Sequence, residues 1–176
     1  MKRMHKGFTL VELLIVIAIL GAMSAMMATS SSDSIDAASA SAILNNLQTM
    51  KAAAFEMYME EPKVASDTAI TNEKEIEITP ASGTGQDAIA AVTKKVGEIL
   101  GERLGRKDIA TGYGIVGDSN HWYVYYTITA DDSANVKAKL QTSANAAGLY
   151  GGTSAATTAF EDYYTGTENF VALMVR

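Results

Sequence analysis

The sequence predicts an α+β fold in which one long N-terminal helix packs on a small antiparallel sheet. Three observations carry this expectation. Between Phe8 and Glu61 there is no proline and a single glycine, Gly21, so nothing there forces the chain to turn. His121-Trp122-Tyr123-Val124-Tyr125-Tyr126-Thr127-Ile128-Thr129 is rich in aromatic and β-branched residues, and Trp122, Val124, Tyr126 and Ile128 share one face. The remaining strand-like segments do not alternate with helices in the βαβ rhythm of a parallel sheet.

The first element is an apolar helix, residues 8–28, preceded by Lys2, Arg3 and Lys6 and interrupted by one ionisable side chain, Glu12. At 1.5 Å per residue its length matches the ~30 Å of a bilayer core. Basic residues before it, and none in the ten residues after it, predict that residues 1–7 stay in the cytoplasm and the rest is exported. A carboxylate at hydrocarbon depth costs on the order of 3 kcal/mol, so Glu12 calls for a partner or a function. A secretory signal peptide cut at Ala22-Met23-Ser24 would leave a soluble exported binding domain starting at Ala25. A permanent single-span anchor would keep the segment.

Lys6-Gly7-Phe8-Thr9-Leu10-Val11-Glu12 resembles the processing site of type IV prepilins and pseudopilins, and the continuation LLIVIAILG, ending at Gly21, is similar too. The likeness is close over residues 1–28, general in character over the next thirty or so, and architectural beyond. It implies that residues 1–7 are a leader removed by prepilin peptidase between Gly7 and Phe8, that Phe8 is then N-methylated, and that Glu12 becomes the fifth residue of the mature chain. It also implies an inner-membrane stage in lipid, an assembly platform, and polymerisation with identical or related subunits into an extracellular filament. Adhesion and twitching motility are among the surface functions such a filament serves. Glu12 and Phe8 are the assembly residues in this reading. Glu12 neutralises the new amine of its own chain, at i+4, or that of a neighbour. The fold implied is pilin-like, and the resemblance admits a pseudopilin of a type II secretion system as well as a type IV pilin.

Residues 29–61 continue the helix in amphipathic form, with Ile43, Leu47, Met50, Ala54 and Met57 forming one apolar stripe suited to packing on the protein's own sheet. Thr29, Ser30, Ser31, Ser32, Asp33 and Ser34 are six poor helix formers in a row. Many members of the resembled family have a helix-breaking proline near here, where this chain has Thr29. Gly21 and Ser30–Ser32 are expected to permit local unwinding, with Ser32 or Ser34 capping a restarted helix; the alternative is a continuous helix whose serines bond back to their own turns. Pro62 stops the helix.

The globular head is expected over residues 62–176. Residues 63–73 read as a loop, Glu75–Thr79 as a half-exposed strand closed by Pro80, and residues 87–104 as a helix capped by Asp87 and stopped by Gly105. Its face would carry Ile89, Val92, Val96, Ile99 and Leu104. Gly112–Gly117 reads as a turn-rich lead into the strand at 121–129. Residues 133–147 read as a helix capped by Asp131 or Asp132 and ended by Gly148, 151–158 as a small-residue loop, and 170–175 as a buried central strand.

Composition narrows the function classes. There are no cysteines, so disulfides, thiolate metal sites and thiol nucleophiles are excluded. Net charge is −6 from 14 basic and 20 acidic residues, and becomes −9 once the three basic residues of the leader are gone. So acidic a chain is a poor direct partner for nucleic acid. Gly83-Thr84-Gly85-Gln86-Asp87-Ala88 lacks the strand–loop–helix context of a nucleotide site and reads as a turn and cap. His121 has no second imidazole in the processed chain to form a zinc site, so no metal or other cofactor is expected. Asp131-Asp132 and Glu161-Asp162 could offer oxygens to calcium but lack dense ligand spacing, and cap or surface roles are favoured. The tyrosines at 123, 125, 126, 163 and 164 suit sheet packing better than electron transfer. Thr153-Ser154 and Thr157-Thr158 are possible sugar acceptors without a supporting rule. No catalytic constellation is present, and an enzyme is not expected.

Overall fold

The structure is a computed structural model and describes residues 8–60, 64, 67–78, 92–106 and 109–176. Helix α1 (Leu10–Glu60) has 51 residues, which makes it about 75 Å long. It runs unbroken through Gly21 and Ser30–Ser32, so no restarted helix is capped by Ser32 or Ser34 in the single chain. The physical reason is that no residue there lacks a backbone N–H. Ser24, Ser41 and Thr49 elsewhere in α1 each donate to the carbonyl four residues back at 2.8 Å, without interrupting the helix. The stopping residue proposed for this helix, Pro62, lies outside the described residues.

After α1 come β1 (Ile70–Thr71), β2 (Glu75–Ile78), β3 (Val92–Lys95), α2 (Val96–Arg103), β4 (Tyr113–Gly117) and β5 (Trp122–Thr127). Then follow α3 (Ala134–Ala147), β6 (Leu149–Gly152), a 3₁₀ turn (Thr157–Ala159) and β7 (Phe170–Met174). β1, β4, β5, β7 and β6, in that spatial order, form an antiparallel sheet, and β2 pairs with β3 in a separate two-stranded ribbon. The fold is α+β with the long N-terminal helix against the sheet, the pilin-like arrangement.

The core lies between the second half of α1 and one face of the sheet. Ile43, Leu47, Met50, Ala54 and Met57 are buried, as the stripe predicts, and meet Ile115, Trp122, Val124, Val171 and Leu173. Trp122 is wholly buried, donates from Nε1 to the Asp118 carbonyl at 3.1 Å, and meets the Tyr58 ring edge-on at 5.2 Å. Arg176 lies over the Tyr58 ring, its guanidinium carbon 4.6 Å from the centroid. α3 closes one flank with Val136, Leu140 and Ala144, and the side-chain amide of Asn135 donates to Asp33 and Asp36 of α1. The head therefore begins to touch α1 at about Asp33.

Several local expectations are corrected. Val92–Lys95 is a strand, with Glu75 opposite Lys95 and Ile78 opposite Val92, so the helix starts only at Val96. Valine at 92 and 96 fits a helical spacing, but Val-Thr also suits a strand, and pairing with β2 decides. Asp87, Ile89 and the 83–88 glycine loop lie outside the described residues. Gly112–Gly117 contains strand β4: Gly114 and Gly117 stand directly opposite Tyr125 and Trp122, whose rings occupy the space a Cβ would need. The cap of α3 is Ser133, whose hydroxyl oxygen accepts from Val136 N at 3.1 Å, and Gly148 ends that helix at φ 68°. Asp132 instead accepts from Thr129 N at 2.8 Å and from the Tyr126 hydroxyl at 3.1 Å. Part of the 63–73 loop is β1, part of the 151–158 loop is β6, and β7 is interior but flanks the central strand, β5.

Candidate functional site

The site that the sequence singles out lies at the start of α1. Leu10 is the first helical residue, Thr9 precedes it, and Glu12 is the third residue of the first turn. The Glu12 carboxylate accepts from Thr9 N at 2.8 Å and from Thr9 Oγ1 at 2.8 Å, while Glu12 N donates to Thr9 Oγ1 at 3.2 Å. This reciprocal pattern is a capping box, which satisfies backbone donors that no helical carbonyl can reach. A negative carboxylate in the first turn also complements the helix dipole.

The box turns the Glu12 carboxylate toward the chain's N-terminal side, onto the backbone N–H and hydroxyl of Thr9. Thr9 was not among the residues singled out from the sequence, although Thr-x-x-Glu ahead of an apolar run is a readable signal. Gly7, Lys2, Arg3 and Lys6 lie outside the described residues.

Around this polar start the helix is bare. Phe8 is 87% exposed and Leu10 86%, and every large apolar side chain from Val11 to Met23 is at least half exposed. Gly21 sits in the same stretch with open space where a Cβ would be, so no contact among the described residues requires a glycine there. Among the described residues no helix is long and apolar enough to cross a membrane.

Among its described residues the head brings together none of the alternative sites. Among the described residues no group of three or more His, Asp or Glu is placed to hold a metal ion. Asp131, Glu161 and Asp162 are exposed, and Asp132 is engaged by Thr129 and Tyr126. His121 is exposed, its Nδ1 4.0 Å from Asp118 Oδ1. Burial first, then the Asp132 charge, pushes the Tyr126 phenol up to about 12. Burial, then Glu168 and Asp132, does the same to Tyr164, also to about 12. These tyrosines are therefore neutral packing groups at ordinary pH. Thr153, Ser154 and Thr158 are exposed and Thr157 half-buried.

Geometry thus defines a class of chain: a compact α+β head carrying a capped, bare apolar helix start with one carboxylate in its first turn. Residues 2–28 match the prokaryotic N-terminal methylation motif, the leader type of type IV pilins and pseudopilins. No curated protein and no solved structure matches the chain.

Proposed function

We propose that this chain is the precursor of a structural subunit of a type IV pilus. The observation that carries the reading is the methylation motif at residues 2–28 ending in a helix whose apolar start is left uncovered by the described residues. Removing a Leu, Ile, Val, Phe or Met side chain from water gains roughly 1.5–3 kcal/mol. The half-exposed run from Phe8 to Met23 therefore represents on the order of 10–20 kcal/mol awaiting a non-aqueous environment. Membrane lipid supplies it first, and the helices of neighbouring subunits supply it after extraction into the filament.

In this reading prepilin peptidase cuts between Gly7 and Phe8, and Phe8 is then N-methylated. The new ammonium group on Phe8 would then be one residue from the Thr9 N–H that the Glu12 carboxylate accepts from. In a dry filament core a carboxylate and an ammonium group are tolerated only as partners. Glu12 therefore sets which amine, its own or a neighbour's, the helix start accepts. Gly21 and Ser30–Ser32 provide the weak stretch at which α1 unwinds as subunits stack. A filament map with helix unbroken from Leu10 to Glu60 would remove that element of the proposal.

Mass spectrometry of the mature N-terminus tests the reading as a whole. N-methyl-Phe8 supports it, a start at Ala25 points to a soluble exported domain, and retained Met1 points to a fixed anchor. A pseudopilus would be built on the same helix. Sheared surface filaments composed mainly of this chain support the pilus, and their absence from cells with an active type II secretion system favours the pseudopilin.

A further inference from the structure

The face of the sheet turned away from α1 carries a second apolar cluster, built on Val116, Tyr123, Phe160 and Ala172. A cleft of about 450 Å³ opens beside it, within the size range of small-molecule sites. Tyr123, Tyr150 and Phe160 wall it, and Asp118, His121 and Glu161 stand among its polar residues, with no Lys or Arg in the lining. The Tyr123 ring lies 5.1 Å from Phe160 and 5.9 Å, edge-on, from Tyr150.

Two details separate this cleft from an ordinary surface hollow. Tyr123 is 5% exposed and is nevertheless one of the residues that line the cleft. Burial, followed by the influence of Tyr150, Asp118 and Glu161, raises that phenol above its ordinary value, and all three of those residues line the cleft. Asp118 is also a fixed charge, because its Oδ1 accepts from Asn120 N at 2.7 Å and from His121 N at 2.8 Å. Those bonds hold its carboxyl below the usual carboxylate range.

We propose that the cleft binds an organic cation, the ammonium or guanidinium end of a lysine- or arginine-like group. The charge sits between Asp118, Glu161 and the Tyr123 hydroxyl, and the alkyl stem lies against Tyr150 and Phe160. Electron-rich ring faces and two carboxylates act on a cation in the same direction. A neutral alcohol or sugar of the same shape would meet the rings without gaining from either charge. The inference concerns the head alone and stands whether or not the chain forms a filament.

The test is a titration of the full chain in detergent micelles, followed by NMR shifts, with n-butylammonium and n-butylguanidinium chloride as probes and n-pentanol as the neutral control. Saturable binding of the cations with Kd on the order of 1–10 mM, and none of pentanol, is the expected result. Asp118→Asn, which keeps an oxygen for both N–H groups, and Glu161→Gln should each weaken binding about threefold to fivefold. Tyr123→Phe should weaken it too, with an unchanged melting temperature. A blocked Gly-Lys-Gly peptide identifies the source: tighter binding than the free amine indicates a polypeptide side chain, and equal binding indicates a small amine. Equal binding of pentanol, no saturation by about 100 mM cation, or cation binding unaffected by the Asp118 and Glu161 variants would overturn the proposal.

Discussion

Between Leu10 and Met23 the large apolar side chains of α1 are 51–86% exposed, whereas from Ala40 to Met57 the inward stripe is at most 7% exposed. Both stretches belong to one uninterrupted helix, and the difference lies in pattern rather than in helicity. The first is apolar all round, so no single face can satisfy it and its partners must surround it. The second is apolar on one stripe, so a sheet on one side is enough. The boundary falls where Asn135 of α3 reaches Asp33 and Asp36, the first place the head grips the helix. One helix thus contains a segment that completes the monomer and a segment that the monomer leaves incomplete.

The most complete break is at the leader. Gly7→Leu should abolish cleavage and leave all of the chain as a membrane-bound precursor, seen as a single band at precursor mass on an immunoblot. Mature chain at wild-type yield would sever the first half of α1 from the processing reading. Glu12→Ala comes next: it should be cleaved normally, yet give at least about tenfold fewer sheared filaments, because an unpaired buried charge costs several kcal/mol. Normal filament yield from this variant would show that the amine needs no carboxylate partner.

The same substitution in the two halves sharpens the contrast. Leu47→Ala removes a wholly buried side chain and should lower stability by roughly 2–5 kcal/mol in thermal or urea melting. Leu14→Ala, at a position 60% exposed, should leave melting of the isolated subunit within about 0.5 kcal/mol of wild type and act only on assembly. Equal losses would mean that the first half already has a partner within the monomer.

The head supplies a further, pH-dependent contrast, since Tyr164 is buried and Tyr126 partly buried. Tyr126 and Tyr164 have folded values near 12, raised above the ordinary tyrosine value of 10. Their stabilising contribution is complete below pH 10 and is lost as pH rises from there through about 12, where the unfolded chain ionises first. Melting temperature should fall over that window, with less of a fall in Tyr126→Phe.

Much of this architecture could be read in the residues because single elements declared it. The stripe from Ile43 to Met57 and the alternation of Trp122 and Val124 with Tyr123 and Tyr125 each fix a face by period alone. β3 was misread because Val92 and Val96 satisfy a helical period, while the pairing that makes Val92–Lys95 a strand lies in β2, well upstream. β4 was hidden by glycines that normally signal turns, and the rings requiring them sit on a strand yet to come. At the candidate site Glu12 stands out as the lone charge in its run, but Thr9 does not, since an uncharged hydroxyl beside an apolar run gains its role only once the helix end forms. The outer cleft had no local signal at all. Its Asp118 and His121 flank a turn, Tyr123 and Tyr150 come from different strands, and Phe160 and Glu161 come from the segment before β7.

The smallest effect is expected at Thr9, and it bears on how the bare half begins. Thr9→Val deletes the hydroxyl, and with it two of the three bonds of the box, while keeping the Thr9 N–H that reaches Glu12 Oε2. Loss of a helix-capping hydroxyl costs about 1 kcal/mol. If the box merely starts α1, the variant should fray the first turn and leave filament yield near wild type. If the box aims the carboxylate at the amine, yield should fall by about twofold to fivefold, as an error of about 1 kcal/mol in pairing implies. Thr9→Ser, which restores the hydroxyl, should then recover it. The second outcome is expected, because two 2.8 Å bonds to one oxygen, Oε2, fix the carboxylate's direction more than the helix start alone requires.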